Sequence, residues 1–262
     1  MNNRCRRGAV KMALLVALIG VAHAQDAAPS AAIAPLRVLF IGSSLTYTNA
    51  LPQVVAGLSA QSAEARKIEA VEVTFPAWSL SRHWDSGKAL KIVRGERWDF
   101  VVLQPGNDFD LQGNSTDLQG KSIELFDAEI RKVGARTILY VLFPRLRSGL
   151  IERPEQFYER QEQLATALGA LSAPVGPAWT QAVKAGILPS ALYDTDGRHP
   201  TLIGTYLAAC VFFSVIYGSS PEGLRPPWAQ GANAPDTAAL NSAAWRAVQK
   251  VPRMPRPASA SN

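Results

Sequence analysis

The strongest constraint on the fold is a regular alternation between short apolar runs and longer segments with helical spacing. Apolar runs rich in β-branched or aromatic residues occur at 36–41, 71–75, 100–103 and 137–143, with a shorter fifth run at 174–175. Such runs predict buried strands. Apolar residues recur every three or four positions at 50–65, 80–94, 123–133 and 154–171, which predicts helices. This order predicts a three-layer α/β/α sandwich around a mostly parallel sheet of about five strands.

Two further helices are predicted after the last strand. Residues 201–217 form an apolar segment that follows Pro200, and residues 236–251 form a more polar one. Hydrophobic residues make up 47% of the chain, which is enough to bury the core of one domain. We therefore expect a single domain over residues 36–251.

The first 24 residues are predicted to be an export signal. Four cations precede an apolar run at residues 12–21, and the small-residue cleavage pattern Ala22-His23-Ala24 follows it. A run of that length is too short to span a bilayer, which takes roughly 20 residues. Cys5 lies ahead of the run rather than at the cleavage point, which argues against a lipoprotein anchor. We expect a periplasmic or secreted protein without a stable membrane anchor.

The segments that flank the domain have a different composition. Residues 25–35 are small, polar or proline and predict a flexible lead-in, and residues 252–262 predict a disordered tail. The formal charge of +6 loses four positive charges with the export signal, which leaves +2. No basic stripe remains, so nucleic acid is not an expected partner. Cys210 is then the only cysteine, and we expect it to be a buried apolar residue.

A candidate nucleophile follows the first predicted strand. Ligands of doubly wound sheets bind beyond the carboxyl ends of the strands, and the segment there reads Gly42-Ser43-Ser44-Leu45-Thr46. A serine on a strand-to-helix turn exposes its hydroxyl beside backbone N–H groups that can stabilise an oxyanion. The alternative is that Ser43 or Ser44 only caps the next helix.

A candidate base lies in the loop before the helix at 201–217. After residue 24 the chain has two histidines, His83 and His199, and Asp196 precedes His199 by three positions. A carboxylate at that spacing can accept a hydrogen bond from Nδ1–H and leave Nε2 free to take a serine proton. The alternative is a polar loop in which Asp196 is a cap.

These motifs resemble those of the SGNH/GDSL hydrolases, over residues 36–224. The family's Gly-Asp-Ser-Leu block corresponds to Gly42-Ser43-Ser44-Leu45, with Ser43 in place of the usual Asp, and its Asp-x-x-His block corresponds to Asp196-Gly197-Arg198-His199. The resemblance implies a flavodoxin-like SGNH hydrolase fold. It also implies Ser44 as nucleophile, His199 as base and Asp196 as the orienting acid.

The two middle blocks of the family, which complete its oxyanion hole, are altered. No glycine follows the second predicted strand, where Ala77 or Trp78 stands to donate a backbone N–H. The Gly-x-Asn-Asp block is shortened to Gly106-Asn107-Asp108. The resemblance implies an oxyanion hole formed by Ser44, Ala77 and Asn107, with Gln104 as the alternative to Asn107.

Four residues near these strand ends are candidates to line a substrate cleft, although packing in the core is the other interpretation of the aromatic ones. They are Thr46, Trp78, His83 and Phe109. His83 belongs to a Ser-Leu-x-x-His-Trp pattern. No metal or nucleotide motif is present in the sequence, so no cofactor is expected.

The predicted function is hydrolysis of short-chain or acetyl esters through a Ser-His-Asp triad and an acyl-enzyme. The expected partner is a small-molecule, carbohydrate or lipid ester. Two alternatives remain open on the same fold: a non-catalytic carbohydrate-binding or accessory protein, and a sugar O-acyltransferase.

Overall fold

A parallel sheet of five strands organises the part of the chain that the computed structural model describes, residues 33–64, 66–106, 117, 121–146, 154–228 and 237–251. The strand order is β2-β1-β3-β4-β5, and every neighbouring pair is parallel. The strands are β1 (Leu36–Gly42), β2 (Ile68–Thr74), β3 (Phe100–Leu103), β4 (Arg136–Tyr140) and β5 (Leu171–Ala173).

Ten α-helices are present in these described ranges. They are α1 (Ser44–Tyr47), α2 (Leu51–Gln61), α3 (Leu80–Ser86), α4 (Lys88–Gly95), α5 (Ser122–Lys132), α6 (Pro154–Leu168), α7 (Val175–Lys184), α8 (Pro189–Leu192), α9 (Leu202–Tyr217) and α10 (Ala238–Lys250). A short 3₁₀ helix, Thr48–Ala50, joins α1 to α2.

Two separate apolar cores lie on the two faces of the sheet. Successive side chains of a strand point to opposite faces, so Val38 and Phe40 join the core with α2, α7, α9 and α10, whereas Leu39 and Ile41 join the core with α3, α4 and α5. The predicted three-layer α/β/α sandwich is confirmed. These described elements belong to one compact unit.

Several predicted element bounds differ from the observed ones. β2 begins at Ile68 rather than residue 71, because Glu69 pairs in register with Arg37 of β1 and forms an ion pair at 3.2 Å. The predicted helix at 80–94 is divided at Gly87, whose φ of 69° is left-handed. The fifth strand ends at Ala173, because Pro174 has no N–H for the ladder.

The sheet order brings three turns together at one edge. β2 and β3 both pair with β1, so the turns that follow these three strands lie side by side at their carboxyl ends. After β1 the chain forms β2 on one side of it and later forms β3 on the other side. This reversal of strand order creates the crevice where ligands of open α/β sheets bind.

The remaining sequence predictions concern other parts of the chain. The predicted export signal at 1–24, the tail at 252–262 and most of the lead-in at 25–35 lie outside the described residues. No described helix has the length and apolar character needed to cross a membrane. Cys210 is fully buried in α9, and burial raises the pKa of its thiol to about 12.

Candidate active site

Ser44 stands at the start of α1, directly beyond β1. Ser44 is 8% exposed. The turn is closed by hydrogen bonds from Thr46 N–H and Tyr47 N–H to the carbonyl oxygen of Ser43, at 2.9 and 3.2 Å. Ser43 occupies the N-cap position, but its side chain makes no capping hydrogen bond. The first N–H groups of a helix have no partner inside the helix, so the backbone N–H of Ser44 has no acceptor within α1.

Gln104 holds this turn from the end of β3. Its side chain is fully buried, and its Oε1 accepts from Ser43 N–H at 2.7 Å, Ser43 Oγ at 3.1 Å and Thr46 Oγ1 at 3.2 Å. A backbone N–H can only donate, which fixes Oε1 as the atom that faces the turn. The Nε2 donates to the carbonyl oxygen of Pro105.

This arrangement corrects two sequence expectations. The amide N–H groups of Gln104 are directed to Pro105 and not to Ser44, so Gln104 supports the turn that carries Ser44 and is not placed as an oxyanion donor. Thr46 is fully buried and donates to Gln104, so it does not line a cleft. Gly42 has no room for a side chain, since a Cβ there would lie 2.6 Å from Thr46 Oγ1 and 2.7 Å from Gln104 Oε1.

The loop before α9 brings His199 to Ser44. An isolated bridge pairs Tyr193 with Pro200, and Asp194 N–H donates to the carbonyl oxygen of His199 at 2.8 Å. Gly197 has a φ of 65°, a left-handed conformation that favours glycine. The chain thereby reverses within eight residues, and the Nε2 of His199 lies 2.8 Å from Ser44 Oγ.

Asp196 orients His199 through both of its carboxylate oxygens. Oδ1 accepts from the backbone N–H groups of Arg198 and His199 at 2.8 and 2.9 Å, and Oδ2 lies 2.5 Å from Nδ1 of His199. The backbone N–H of His199, its imidazole and the N–H of Arg198 together lower the pKa of Asp196 to about 2. An ionised carboxylate only accepts, so Nδ1 carries the proton and Nε2 has the free lone pair toward Ser44.

The turn after β2 adopts an unusual backbone conformation. Trp78 N–H donates to the carbonyl oxygen of Phe75 at 3.3 Å, and Ala77 between them has a φ of 55°. Pro76 precedes Ala77, which is the order of a type II turn whose third position normally requires glycine. Ala77 is exposed. Trp78 packs against Phe75, with ring centroids 4.2 Å apart, and is half-buried.

His83 lies behind the turn that carries Ser44 and not in a cleft. It is fully buried, and its Nε2 lies 2.9 Å from the carbonyl oxygen of Gly42. A carbonyl accepts, so Nε2 carries the proton; Nδ1 is buried and has no partner among the described residues. Burial lowers the pKa of His83, partly offset by the bond to Gly42 and by the charge of Asp117. The expectation that His83 lines the cleft is corrected by its complete burial.

Two residues that form hydrogen bonds at this site were not predicted from the sequence. Asn49 donates through Nδ2 to the Pro200 carbonyl oxygen and to Thr205 Oγ1, both at 2.9 Å. Asp117 is fully buried and accepts from three backbone N–H groups beside the site. In the sequence, Asn49 is typical of an ordinary turn, and no local pattern distinguishes Asp117 from the other aspartates. The predicted oxyanion donor Asn107 and the cleft candidate Phe109 lie outside the described residues.

The arrangement of charges does not suggest a metal site. No cluster of three or more histidine, cysteine, aspartate or glutamate side chains that could hold an ion is found in the described ranges. The Ser44 hydroxyl is instead in contact with an imidazole, and that imidazole with one carboxylate. This set is suited to nucleophilic attack and proton transfer.

Comparisons with known proteins give likenesses in structure. No protein-family model and no curated protein matches the chain. A DUF4886 family protein from Bacteroides uniformis is 19% identical, with a TM-score of 0.63 over 82% of this chain and 95% of that one. A protein from Slackia heliotrinireducens that is described as an SGNH hydrolase is 24% identical, with a TM-score of 0.54 over 70% and 99% of the two chains.

A third similar structure is a catalytic mutant of an acetylxylan esterase from Geobacillus stearothermophilus. It is 18% identical, with a TM-score of 0.51 over 71% of this chain and 96% of that one. The three structures are each matched over nearly their full length, and their shared architecture agrees with the resemblance that the sequence motifs indicated. The chain therefore has the fold of the SGNH hydrolases.

Proposed function

We propose that this chain is a serine hydrolase that cleaves acyl esters through an acyl-enzyme, with Ser44, His199 and Asp196 as its triad. The observation that carries the proposal is the line of contacts from Ser44 Oγ to His199 Nε2, at 2.8 Å, and from His199 Nδ1 to Asp196 Oδ2, at 2.5 Å. Nucleophile, base and orienting acid within hydrogen-bonding distance are the geometric signature of such catalysis.

The proposed reaction has two halves. Ser44 Oγ attacks the ester carbonyl carbon while His199 Nε2 takes its proton, and the carbonyl oxygen becomes an oxyanion. The bond to the alcohol oxygen then breaks, His199 returns the proton to the leaving alcohol, and the acyl group remains on Ser44. Water attacks this acyl group with His199 again as base, which releases the carboxylic acid and restores the serine.

We propose the backbone N–H groups of Ser44 and Ala77 as oxyanion donors, together with the side chain of Asn107. Ser44 N–H lies at the start of α1, where no intrahelical acceptor exists. Ala77 belongs to the exposed turn after β2, beside the end of β1. Donors held in place before the reaction stabilise the developing negative charge without reorganisation.

The substrates we propose are short-chain or acetyl esters, on a carbohydrate or a small molecule. Ser44 is only 8% exposed, which favours a small acyl group at the nucleophile. The acetylxylan esterase among the similar structures supports the same class. With residues 1–24 as an export signal, the enzyme would meet these esters in the periplasm or outside the cell.

Paired substitutions at the two adjacent serines test the proposal. Ser44→Ala should abolish labelling by a fluorophosphonate and lower kcat on p-nitrophenyl acetate by up to about 10⁶, the largest loss known for such triads. Ser43→Ala is the control, because the Ser43 hydroxyl bonds Gln104 rather than His199, and it should remain labelled.

Three results would argue otherwise. Unchanged hydrolysis by Ser44→Ala would remove Ser44 as nucleophile. A folded wild-type protein that is inert to both reagents would favour a non-catalytic carbohydrate-binding protein. Transfer of the acyl group to an added sugar in preference to water would identify an acyltransferase.

A further inference from the structure

Asp117 carries a fully buried carboxylate that accepts from three backbone N–H groups of the described residues. Oδ2 accepts from Leu80 N–H at 2.9 Å and from Gly106 N–H at 2.6 Å. Oδ1 accepts from Ser81 N–H at 3.1 Å. Three donors satisfy the charge that burial would otherwise make costly.

These donors belong to two different turns. Leu80 and Ser81 begin α3, three and four residues after Ala77 in the turn that follows β2. Gly106 lies in the turn that follows β3, two residues after Gln104. β2 and β3 flank β1 on its two sides, so the turns on either side of the nucleophile share a single acceptor, Oδ2.

The shared acceptor fixes the distance between the turn after β2 and the turn after β3, which strand pairing alone does not fix. Strand pairing ends at Thr74 in β2 and at Leu103 in β3, so both turns run beyond the ladder. Gln104 anchors one of them to the Ser44 turn, and Trp78 packs the other against His83, with ring centroids 5.0 Å apart. The bond pair at Oδ2 joins the two turns directly.

We propose that Asp117 is a positioning residue that holds the turns after β2 and β3 at the separation needed to stabilise the oxyanion on Ser44. This inference rests on the proposed hydrolase function, because its consequence for rate requires an acyl transfer. Asp117 does not touch the reacting atoms; it acts through the backbone of Leu80 and Gly106.

Two substitutions separate this role from that of the negative charge. Asp117→Asn removes the charge but keeps one oxygen, which can occupy the Oδ2 position and bond both Leu80 and Gly106. Asp117→Ser also removes the charge, but its hydroxyl is one atom shorter and cannot reach both turns. The serine variant should lose about 10²-fold in kcat, as expected for a shift of roughly 1 Å in a catalytic group, with KM little changed. The asparagine variant should retain most of the activity.

Asp127→Ser is the matched control. Asp127 is also a buried carboxylate, but it accepts from Thr137 Oγ1 at 2.7 Å, near the amino end of β4 and away from the Ser44 edge. Its loss should lower the thermal midpoint and leave kcat near the wild-type value. Equal losses of kcat in the asparagine and serine variants of Asp117 would overturn the proposal, as would full activity in the serine variant.

Amide hydrogen exchange measured by NMR tests the same bridge without an activity assay. In Asp117→Ser the amides of Leu80 and Gly106 should exchange faster together, whereas in Asp117→Asn only that of Ser81 should do so. In the serine variant, faster exchange of only one of the Leu80 and Gly106 amides would contradict the bridge. If the serine variant does not fold, the asparagine variant still tests the bridge, because faster exchange of Leu80 or Gly106 there would contradict a single oxygen that holds both. A wild-type protein that is inert to the fluorophosphonate would refute the hydrolase function and leave this measurement intact.

Discussion

The Nδ2 of Asn49 donates to the carbonyl oxygen of Pro200 at 2.9 Å, and this contact joins the segment that follows Ser44 to the residue next to His199. Asn49 is the second residue after α1 and adopts a left-handed φ of 55°, a conformation that asparagine tolerates better than most residues. The bond restrains the separation of Ser44 and His199 without involving either side chain.

Loss of this contact is expected to slow acylation. Asn49→Gly keeps the left-handed conformation accessible and removes only the side chain, so kcat/KM should fall by roughly 10-fold as the Ser44 to His199 distance becomes less restricted. The measurement is hydrolysis of p-nitrophenyl acetate. Ala50→Gly serves as the control in the same loop, because Ala50 is also left-handed at 53° and contributes no such bond; a matching loss there would refute the role of the Asn49 side chain.

Asp196→Asn should lower kcat by about 10⁴, the loss seen when an orienting acid of this kind becomes an amide. An amide N–H facing Nδ1 would donate to it and place the imidazole proton on Nε2, where it blocks proton transfer from Ser44. The neighbouring Asp194 provides the comparison, since its carboxylate bonds Thr195 within the loop. Asp194→Asn should behave like the wild-type enzyme in steady-state kinetics, and an equal loss in both variants would point to loop disruption.

The stability of the protein should decline as the pH falls below about 6.5, the ordinary pKa of histidine. Burial lowers the pKa of His83 in the folded state, so the unfolded chain binds more protons in that range and unfolding is favoured. The slope from one such group is at most about 1.4 kcal/mol per pH unit. Urea unfolding at several pH values measures it.

Two variants assign this pH dependence. His83→Gln can still donate to the Gly42 carbonyl oxygen and should flatten the slope between neutral and mildly acidic pH. His199→Gln keeps the buried His83, so the slope that His83 produces should remain. A slope that survives in the first variant would show that other groups produce it.

Ala77→Gly should raise the free energy of unfolding by roughly 0.5 to 1 kcal/mol. A non-glycine residue in the left-handed region destabilises the folded state by about 1–2 kcal/mol, and glycine removes this strain. Glycine also increases the conformational entropy of the unfolded chain, which offsets part of that stabilisation. Ala70→Gly in β2 lacks any strain to relieve and should be destabilising. Thermal unfolding of the pair checks the prediction, and a destabilised Ala77→Gly would contradict it.

The sheet was predictable where apolar runs and pairing coincide, as at β3. The predicted fourth strand extended to residue 143, but β4 ends at Tyr140, and Leu142 N–H instead bonds Gln161 Oε1. Val141 and Leu142 are fully buried all the same. An apolar run therefore reports burial, and it does not say whether the backbone pairs with another strand.

A helix missed from the sequence shows a different limit. α7 begins at Val175 and contains Gly176 and Pro177, which usually indicate a break. Both lie in the first turn, where proline is tolerated because its missing N–H has no partner anyway. Gly176 is also required there, since a Cβ would lie 2.3 Å from the Leu142 carbonyl oxygen.

Within the candidate site, the contacts could be predicted only where they follow a local motif. Asp196 and His199 are three residues apart, and a single loop brings them together. Asp117 and Gln104 act across long separations, and their roles depend on how the strands are ordered in the sheet. The spacing of residues in the sequence does not indicate that Gln104, after β3, contacts Ser43, after β1.

The contact between Ser44 and His199 spans 155 positions of the chain. The serine emerges early in synthesis and the histidine late, so an incomplete or unfolded chain carries Ser44 only as an ordinary alcohol. Under the proposed mechanism, the hydroxyl becomes reactive only when the segment of Ser44 and the segment of His199 have come together in the folded chain. The rate at which covalent labelling of this hydroxyl appears during refolding would consequently report when folding is complete.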